Sequence, residues 1–339
     1  MMGNTARRGA LLPMVLVVMV IIALAAGAAL FTARQERRAS WNARLQTSAL
    51  GAADLALAEA LDQLAGVAPM LARGGSTTRR LPVADGVDAT TRLTRLGQTL
   101  FMLTTEAGAR SWQGWSARRR SSLLLRLDPP SLAFPAALTI VGASEPGATV
   151  ADGADRAPAG WPCGPPYTDS APTRHPAPAP DSSVIAALRA RAAITLPAGA
   201  ALRGVQPVMR DGACATDLRD NWGDPDRAGA CASWLPIVHA AGDLTIHGGM
   251  GQGVLLVDGN LAIGGSFRFV GAVVVAGAID VGSGGASLTG GVIAGSLHDA
   301  SGSAGPVPVV HRSSCAVDAA LLSAGALIPV ADRAWASER

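Results

Sequence analysis

The chain has 339 residues, enough for two or three modules, with 49% hydrophobic residues but only 4% aromatic ones, so alanine supplies most of its apolar character. Charged residues reach 16%, below the roughly 25% of an average soluble domain, while 40 Gly and 22 Pro exceed the usual share, pointing to a membrane segment, loops and tightly turned strands. All 28 basic residues are Arg, which excludes a phosphate-binding loop ending in Lys-Ser/Thr, a Schiff-base lysine and a lysine isopeptide; a net charge of +3 with scattered arginines leaves no basic face for nucleic acid.

Ala10 to Ala33 carry no charge, and LLPMVLVVMVIIALAAGAALF is long enough to cross a hydrocarbon layer of roughly 30 Å as a helix. The run is longer than a signal-peptide core and continues into more helix, so it predicts an anchor. Arg7 and Arg8 precede it and Arg34, Arg37 and Arg38 follow, so charge alone does not orient it. Four Cys without metal-like spacing suit an oxidising compartment and place the N-terminus inside. Leu45, Leu50, Leu57, Leu61 and Leu64, with alanines between, mark one face of a continuing amphipathic helix that Gly66 and Pro69 end. From Ala10 to Ala65 such a helix is about 85 Å long.

RRGALLPMVLVV resembles the cleavage region of a type IV prepilin, where a short basic leader ends in Gly and an apolar helix follows at once. The resemblance implies processing between Gly9 and Ala10. Many prepilins carry Glu at the fifth mature position, where this chain has Met14. PilX-like minor pilins and GspK-like pseudopilins also tend to lack that Glu, and the resemblance to them, over residues 7 to 65, implies a subunit at or near a filament tip. A tip subunit has no neighbour above it whose N-terminal amine the Glu would pair with.

Residues 76 to 127 alternate β-prone runs with turns, RLTRLG, QTLFMLTTEA and, after Trp112 and Trp115, RRRSSLLLRLD, predicting three or four antiparallel strands. The helix would pack on them through its Leu stripe. Arg118, Arg119 and Arg120 read as a solvated strand entrance. Pro146 to Pro180 is rich in Pro, Ala, Gly, Asp and Ser without apolar period, which predicts a stiff linker with Cys163 inside it.

Between Leu244 and Leu297 the chain repeats with a period near 19: Val254, Val273 and Val292 align, as do Leu255, Val274 and Ile293, then Leu256, Val275 and Ala294, while Leu244 and Ile263 share the spacing. Gly253, Ala272 and Gly291 would mark corners. Fixed spacing with β-branched runs and Gly at bends predicts a parallel β-solenoid, with an antiparallel sandwich as the competing fold. The stretch from Cys231 to Gly277 resembles a Gly-rich β region found behind PilX-type helices, and coiled repeats of this kind also resemble bactofilin-type scaffolds, against which the anchor and the cysteines argue. DAALLSAGALIPVADRAWASER predicts a short helix capping the solenoid's open end.

Cys163, Cys214, Cys231 and Cys315 allow three pairings; the short loop favours Cys214 with Cys231, leaving Cys163 with Cys315. Within that loop Asp217, Asp220, Asn221, Asp224 and Asp226 offer oxygen ligands of the kind Ca²⁺ takes, although the spacing is not that of an EF-hand. His175, His239, His247, His298 and His311 form no close ligand pair, GGMGQGVLLVDG fails G-x-G-x-x-G at Val254, and no G-x-S-x-G occurs. Asp243, Asp258 and Asp280 are the carboxylates a solenoid-borne carbohydrate enzyme would use, but they fall at different phases of the repeat.

The sequence therefore predicts an α+β chain without catalytic residues or cofactor: leader 1–9, transmembrane and amphipathic helix 10–66, pilin-like small β-sheet 67–145, Pro-rich linker 146–182, disulfide-bearing loop region 183–235, Gly-rich β-solenoid 236–300 and capping segment 301–339. It would be an inner-membrane pilus or pseudopilus subunit with its bulk outside the cytoplasm. Its partners would be other pilins through the helix and a surface or polysaccharide at the distal domain. A permanently anchored solenoid scaffold or binding module is the alternative, and the carbohydrate enzyme the second.

Overall fold

The computed structural model describes residues 11–64, 67–68, 71–84, 87–111, 114, 116–141, 150–163, 172, 174–282, 284–299, 309–330 and 335–338. The Gly9–Ala10 junction, Gly66, Pro69, Trp112 and Trp115 lie outside them. A single helix α1 (Leu11–Leu64) of 54 residues opens the chain. It is followed by a meander of β1 (Ser76–Ala84), β2 (Val87–Arg95), β3 (Leu100–Arg110) and β4 (Ser116–Asp128), each antiparallel to the one before.

Alternation along these strands turns one face to the last part of α1. Leu93, Leu103 and Leu123 form one inward row, and Thr91, Thr105 and Ser121 the next. The buried hydroxyls of this second row are paired, Thr91 with Thr105 at 3.0 Å and Ser121 donating to Asp54 on the helix at 3.0 Å. The helix meets the sheet chiefly with alanine. Ala49, Ala52, Ala53, Ala56 and Ala60 are buried together with Leu57 and Leu64, whereas Leu45, Leu50 and Leu61 of the expected leucine stripe are only half-buried. The strands supply the volume through Leu93, Phe101, Leu103, Leu123 and Leu125, so small residues on the helix let its backbone approach.

A second sheet contains only parallel pairings among the described residues. Its strands are β5 (Leu138–Ile140), β6 (Val150–Asp152), β7 (Arg174–Pro176), then, after α2 (Ser182–Ala190), β8 (Ile194–Leu196) and β9 (Ala200–Val205), and, beyond a small hairpin of β10 (Met209–Arg210) and β11 (Ala213–Cys214), β12 (Ile237–Ala240), β13 (Leu244–Val257), β14 (Leu261–Val281), β15 (Ala286–Asp299) and β16 (Val309–Arg312). The long strands bend, so successive legs of one strand pair with successive legs of the next. Leu244–His247 lies on Leu261–Gly264, Gly249–Gly253 on Phe267–Gly271, and Val254–Val257 on Ala272–Val275.

The expected alignment at a constant 19 holds from β14 to β15, where Val273, Val274 and Val275 pair with Val292, Ile293 and Ala294. It is corrected from β13 to β14. Val254 pairs with Ala272, Leu255 with Val273, and Leu244 with Leu261 rather than Ile263. Burial decides this register, because Leu255, Val273 and Val292 share one core while Val254, Ala272 and Ile293 share another on the opposite face; a one-residue slip would exchange them. The glycines that stack are Gly253, Gly271 and Gly290, with φ of +107°, +141° and +140°, in place of the expected Gly253, Ala272 and Gly291.

Three further expectations are corrected. Residues 146–182 contribute β6 and β7 to the parallel sheet rather than forming a spacer, β6 on β16 and β7 on β5, each outermost among the described strands, where a proline's missing N–H is tolerated. Residues 183–235, expected as loop, contribute β8 and β9 as well as α2. The C-terminal segment does not cap an end. Its helix α3 (Ser314–Ser323) lies along the flank of β13, β14 and β15 with Val317, Ala320 and Leu321 buried. β17 (Ala326–Pro329) and β18 (Trp335–Glu338) then return to pair antiparallel with β4. An apolar helix needs a broad apolar face, which the outward Val254, Leu256, Ala272 and Val274 provide.

Candidate functional site

Among the described residues, exposed large apolar side chains concentrate in the first half of α1. Met14 is 67% exposed, Leu24 70% and Phe31 63%, and no part of the described chain packs on them. By length and composition this helix can cross a membrane. Beyond the apolar run, Arg34, Glu36, Arg37, Arg38 and Arg44 form an exposed charged collar before burial begins at Ala49.

Two contacts set the sheet's direction on the helix: Arg119 donates to Gln46 at 2.6 Å and Ser121 to Asp54 at 3.0 Å, so β4 and α1 advance together. The three arginines expected at a strand entrance lie in β4 and divide by alternation. Arg119 faces the helix, while Arg118 and Arg120 face outward toward Glu106 on β3 at 3.7 and 3.6 Å. Around Gly108 on that outer face, Arg80, Asp88, Glu106, Arg110, Ser116 and Arg118 line a polar groove of about 480 Å³.

Cys214 is bonded to Cys231 and Cys163 to Cys315. The loop held by the first bond seats Trp222, fully buried, edge-on to Phe267 and Phe269 at 6.3 and 6.4 Å. Of the side-chain oxygens considered for Ca²⁺, those of Asp217, Asn221, Asp224 and Asp226 are committed separately, Asn221 Oδ1 accepting from the Gly223 N–H at 3.2 Å. Asp217 pairs with Arg210 at 3.2 Å and Asp226 with Arg268 at 2.6 Å, while the Asp220 carbonyl accepts from the Gln206 N–H. The Asn221 amide donates to the carbonyls of Val208 and Ala215, and the Asp224 carboxylate accepts from the N–H groups of Asp226, Ala228 and Gly229. The hydrogen bond from Arg268 holds the Asp226 carboxyl below its ordinary pKa, against a smaller opposing effect of burial. Among the described residues no three His, Cys, Asp or Glu side chains are placed to share a metal ion.

Asp243, Asp258 and Asp280 likewise do not converge. Asp243 accepts from the Asn260 backbone at 2.7 Å, and Asp280 stands opposite His298 in the ladder. Asp258 accepts from Arg189 of α2 at 2.7 Å and lies 2.9 Å from His239 Nε2. Burial works to raise the Asp258 carboxyl, but the hydrogen bonds and charges of His239 and Arg189 outweigh it and hold the pKa below the ordinary value. This network borders a cleft of about 250 Å³ floored by Leu256, Val274 and Ile293, under α2. Sequence reasoning treated His239 and Asp258 apart. What joins them is the parallel pairing of β12 with β13, Ala240 opposite Val257, which sets Asp258 beside the end of β12.

No known protein family matches the chain, and no curated protein matches it. Among solved structures, the competence-associated pilin ComZ from Thermus thermophilus is similar at 12% identity and a TM-score of 0.28, covering 87% of this chain and 98% of that one, an overlap too low to define a common fold.

Proposed function

We propose that the chain is a subunit of a type IV pilus or pseudopilus, of the PilX-like minor-pilin kind, held in the inner membrane with its bulk outside the cytoplasm before it joins a filament. The observation that carries this reading is the division of α1: its last turns are buried against the antiparallel sheet, while Met14 to Phe31 have no cover of their own. An apolar face of that size calls for lipid or neighbouring helices. Ala25, Ala26, Gly27 and Ala28 offer the small surface that close helix packing uses, and nothing lies within 4 Å of a side chain placed at Gly27. Met14 in place of the usual Glu favours a position at the tip, and Gly9–Ala10 is the processing site on this reading. The distal region is a parallel β-solenoid, supported by its parallel registers, its glycine column and the continuous inward core from Leu196 to Leu297. It would prime assembly or touch a surface or polysaccharide.

Detection of the chain in sheared filaments tests the reading. Recovery with the major pilin, lost when the assembly ATPase is deleted, is expected. Retention in the membrane in both backgrounds would leave an anchored scaffold instead.

A further inference from the structure

We propose that the cleft under α2 binds a small neutral amide carrying a medium-length aliphatic chain. The proposal is independent of the filament reading, because the cleft is built from the parallel sheet and the segment that ends in α2. Ser182, Ile185 and Arg189 recur at three and four positions, so one face of α2 looks onto the cleft with a polar group at each end and an apolar one between. The helix is seated at its C-terminal end, where Leu188 is fully buried and Arg189 reaches Asp258 at 2.7 Å, but one turn earlier Ile185 is only half-buried. The space left between helix and sheet is about 250 Å³, whereas protein interiors leave few voids larger than a water molecule.

The shape selects the chain. Leu256, Val274 and Ile293 stand opposite one another on β13, β14 and β15, so the floor runs across three strands. With strands about 4.8 Å apart the trough is about 10 Å long, and at about 1.3 Å of advance per C–C bond it takes an extended chain of about eight carbons. The volume agrees, for at about 30 Å³ per non-hydrogen atom, the share of a water molecule in the liquid, it holds roughly eight atoms. The lining is aliphatic, with no aromatic ring among the described residues to stack on a planar ligand. The head is selected at Asp258. One carboxylate oxygen accepts from Nε and Nη2 of Arg189 and the other lies 2.9 Å from His239 Nε2, which leaves one of a carboxylate's roughly four acceptor positions open. Arg189 Nη1 has no hydrogen-bond partner among the described residues. The guanidinium and the carboxylate balance in charge, so a charged head would meet one group of its own sign. An amide instead offers its C=O to Nη1 and its N–H to the carboxylate, and both hydrogen bonds are charge-assisted.

The test is hydrogen–deuterium exchange on the full chain in lipid nanodiscs, which avoid the alkyl chain of a detergent, with octanamide as the probe. Octanamide is expected to slow exchange in residues 182–190 in a saturable way and to leave residues 100–128 unaffected. Hexanamide, two methylenes shorter, should bind roughly tenfold more weakly. Octanoate and octylamine, with charged heads, should also bind more weakly than octanamide. Ala276→Phe, which fills the cleft from an exposed position, should abolish the slowing in a chain whose exchange without ligand is unchanged. No slowing up to the solubility limit of octanamide would overturn the site, and equal slowing in the Ala276→Phe chain would trace the effect to the bilayer and overturn it as well. Tighter binding of octanoate or octylamine would overturn the assignment of the head, and undiminished binding of hexanamide that of the chain.

Discussion

At Gly271 the backbone holds φ +141°, and an added Cβ would collide with the Gly253 carbonyl oxygen on the neighbouring strand. Gly→Ala there forces a conformation that L-residues rarely adopt as well as a backbone clash, and it should cost at least about 1–3 kcal/mol. Gly51→Ala, at an exposed position in the sheet-packed half of α1, meets nothing within 4 Å and should stabilise by about 0.5–1 kcal/mol. Thermal unfolding followed by circular dichroism compares the two. Asp258 gives a second residue-scale prediction. Its folded pKa lies below the ordinary carboxylate value because His239 and Arg189 outweigh desolvation. Its contribution to stability is therefore fully present above the unfolded pKa and lost as pH falls through the folded one. Asp258→Asn should lower the urea midpoint near neutrality and flatten the loss of stability below about pH 4. An unchanged acid limb would remove Asp258 from the stabilising groups. The Gly253–Gly271–Gly290 column was only partly legible, since a constant period of 19 puts Ala272 at a corner. The turn between β13 and β14 and the bulge at His247/Gly249 change the spacing locally, and no single period can express that.

The elements divide between those whose pattern is local and those defined by a distant partner. Helix α1 was legible from its apolar run, and the β1–β4 meander from alternation, because both patterns lie within single segments. The face of α1 that packs was legible as a stripe of leucine and alanine, with Leu57 and Leu64 buried as expected, but most of the contact falls on the alanines. Burial there follows the sheet's demand for close approach, which Ala49, Ala53, Ala56 and Ala60 satisfy. Ala56→Leu should therefore overpack this interface and cost about 1–3 kcal/mol, whereas enlarging the half-exposed Leu50 to Phe should change little. Denaturant unfolding of the purified full chain in detergent measures both. Edge strands β6 and β7 were invisible in their Pro-rich surroundings because they are three residues each and their ladders close with residues far along the chain.

On the scale of the whole molecule, the chain's end ties its two sheets together. From the flank of the parallel sheet, α3 leads to β17 and β18 on β4, while Cys163–Cys315 joins the start of α3 to the Pro-rich segment across 152 residues. Replacing both cysteines by Ser should cost about 5 kcal/mol in the chain-entropy account. Exchange should rise first in residues 309–323 and 150–163, leaving β3 and β4 protected. Uniform acceleration across both sheets would show that they unfold as one unit. The return of the C-terminus was beyond sequence reasoning because ALIP and WASE carry no sign of the partner they complete. The oxygen-rich loop misled in the opposite way: Asp224 and Asp226 look like free ligands until the backbone N–H groups and Arg268 that occupy them are brought into place.

The central claim, a helix made for assembly after processing, is tested most directly by N-terminal sequencing of the mature protein from its own membranes, with and without the host's prepilin peptidase. A first residue of Ala10 that depends on the peptidase is the predicted result. A start at Met1 or Met2 in both backgrounds would contradict it.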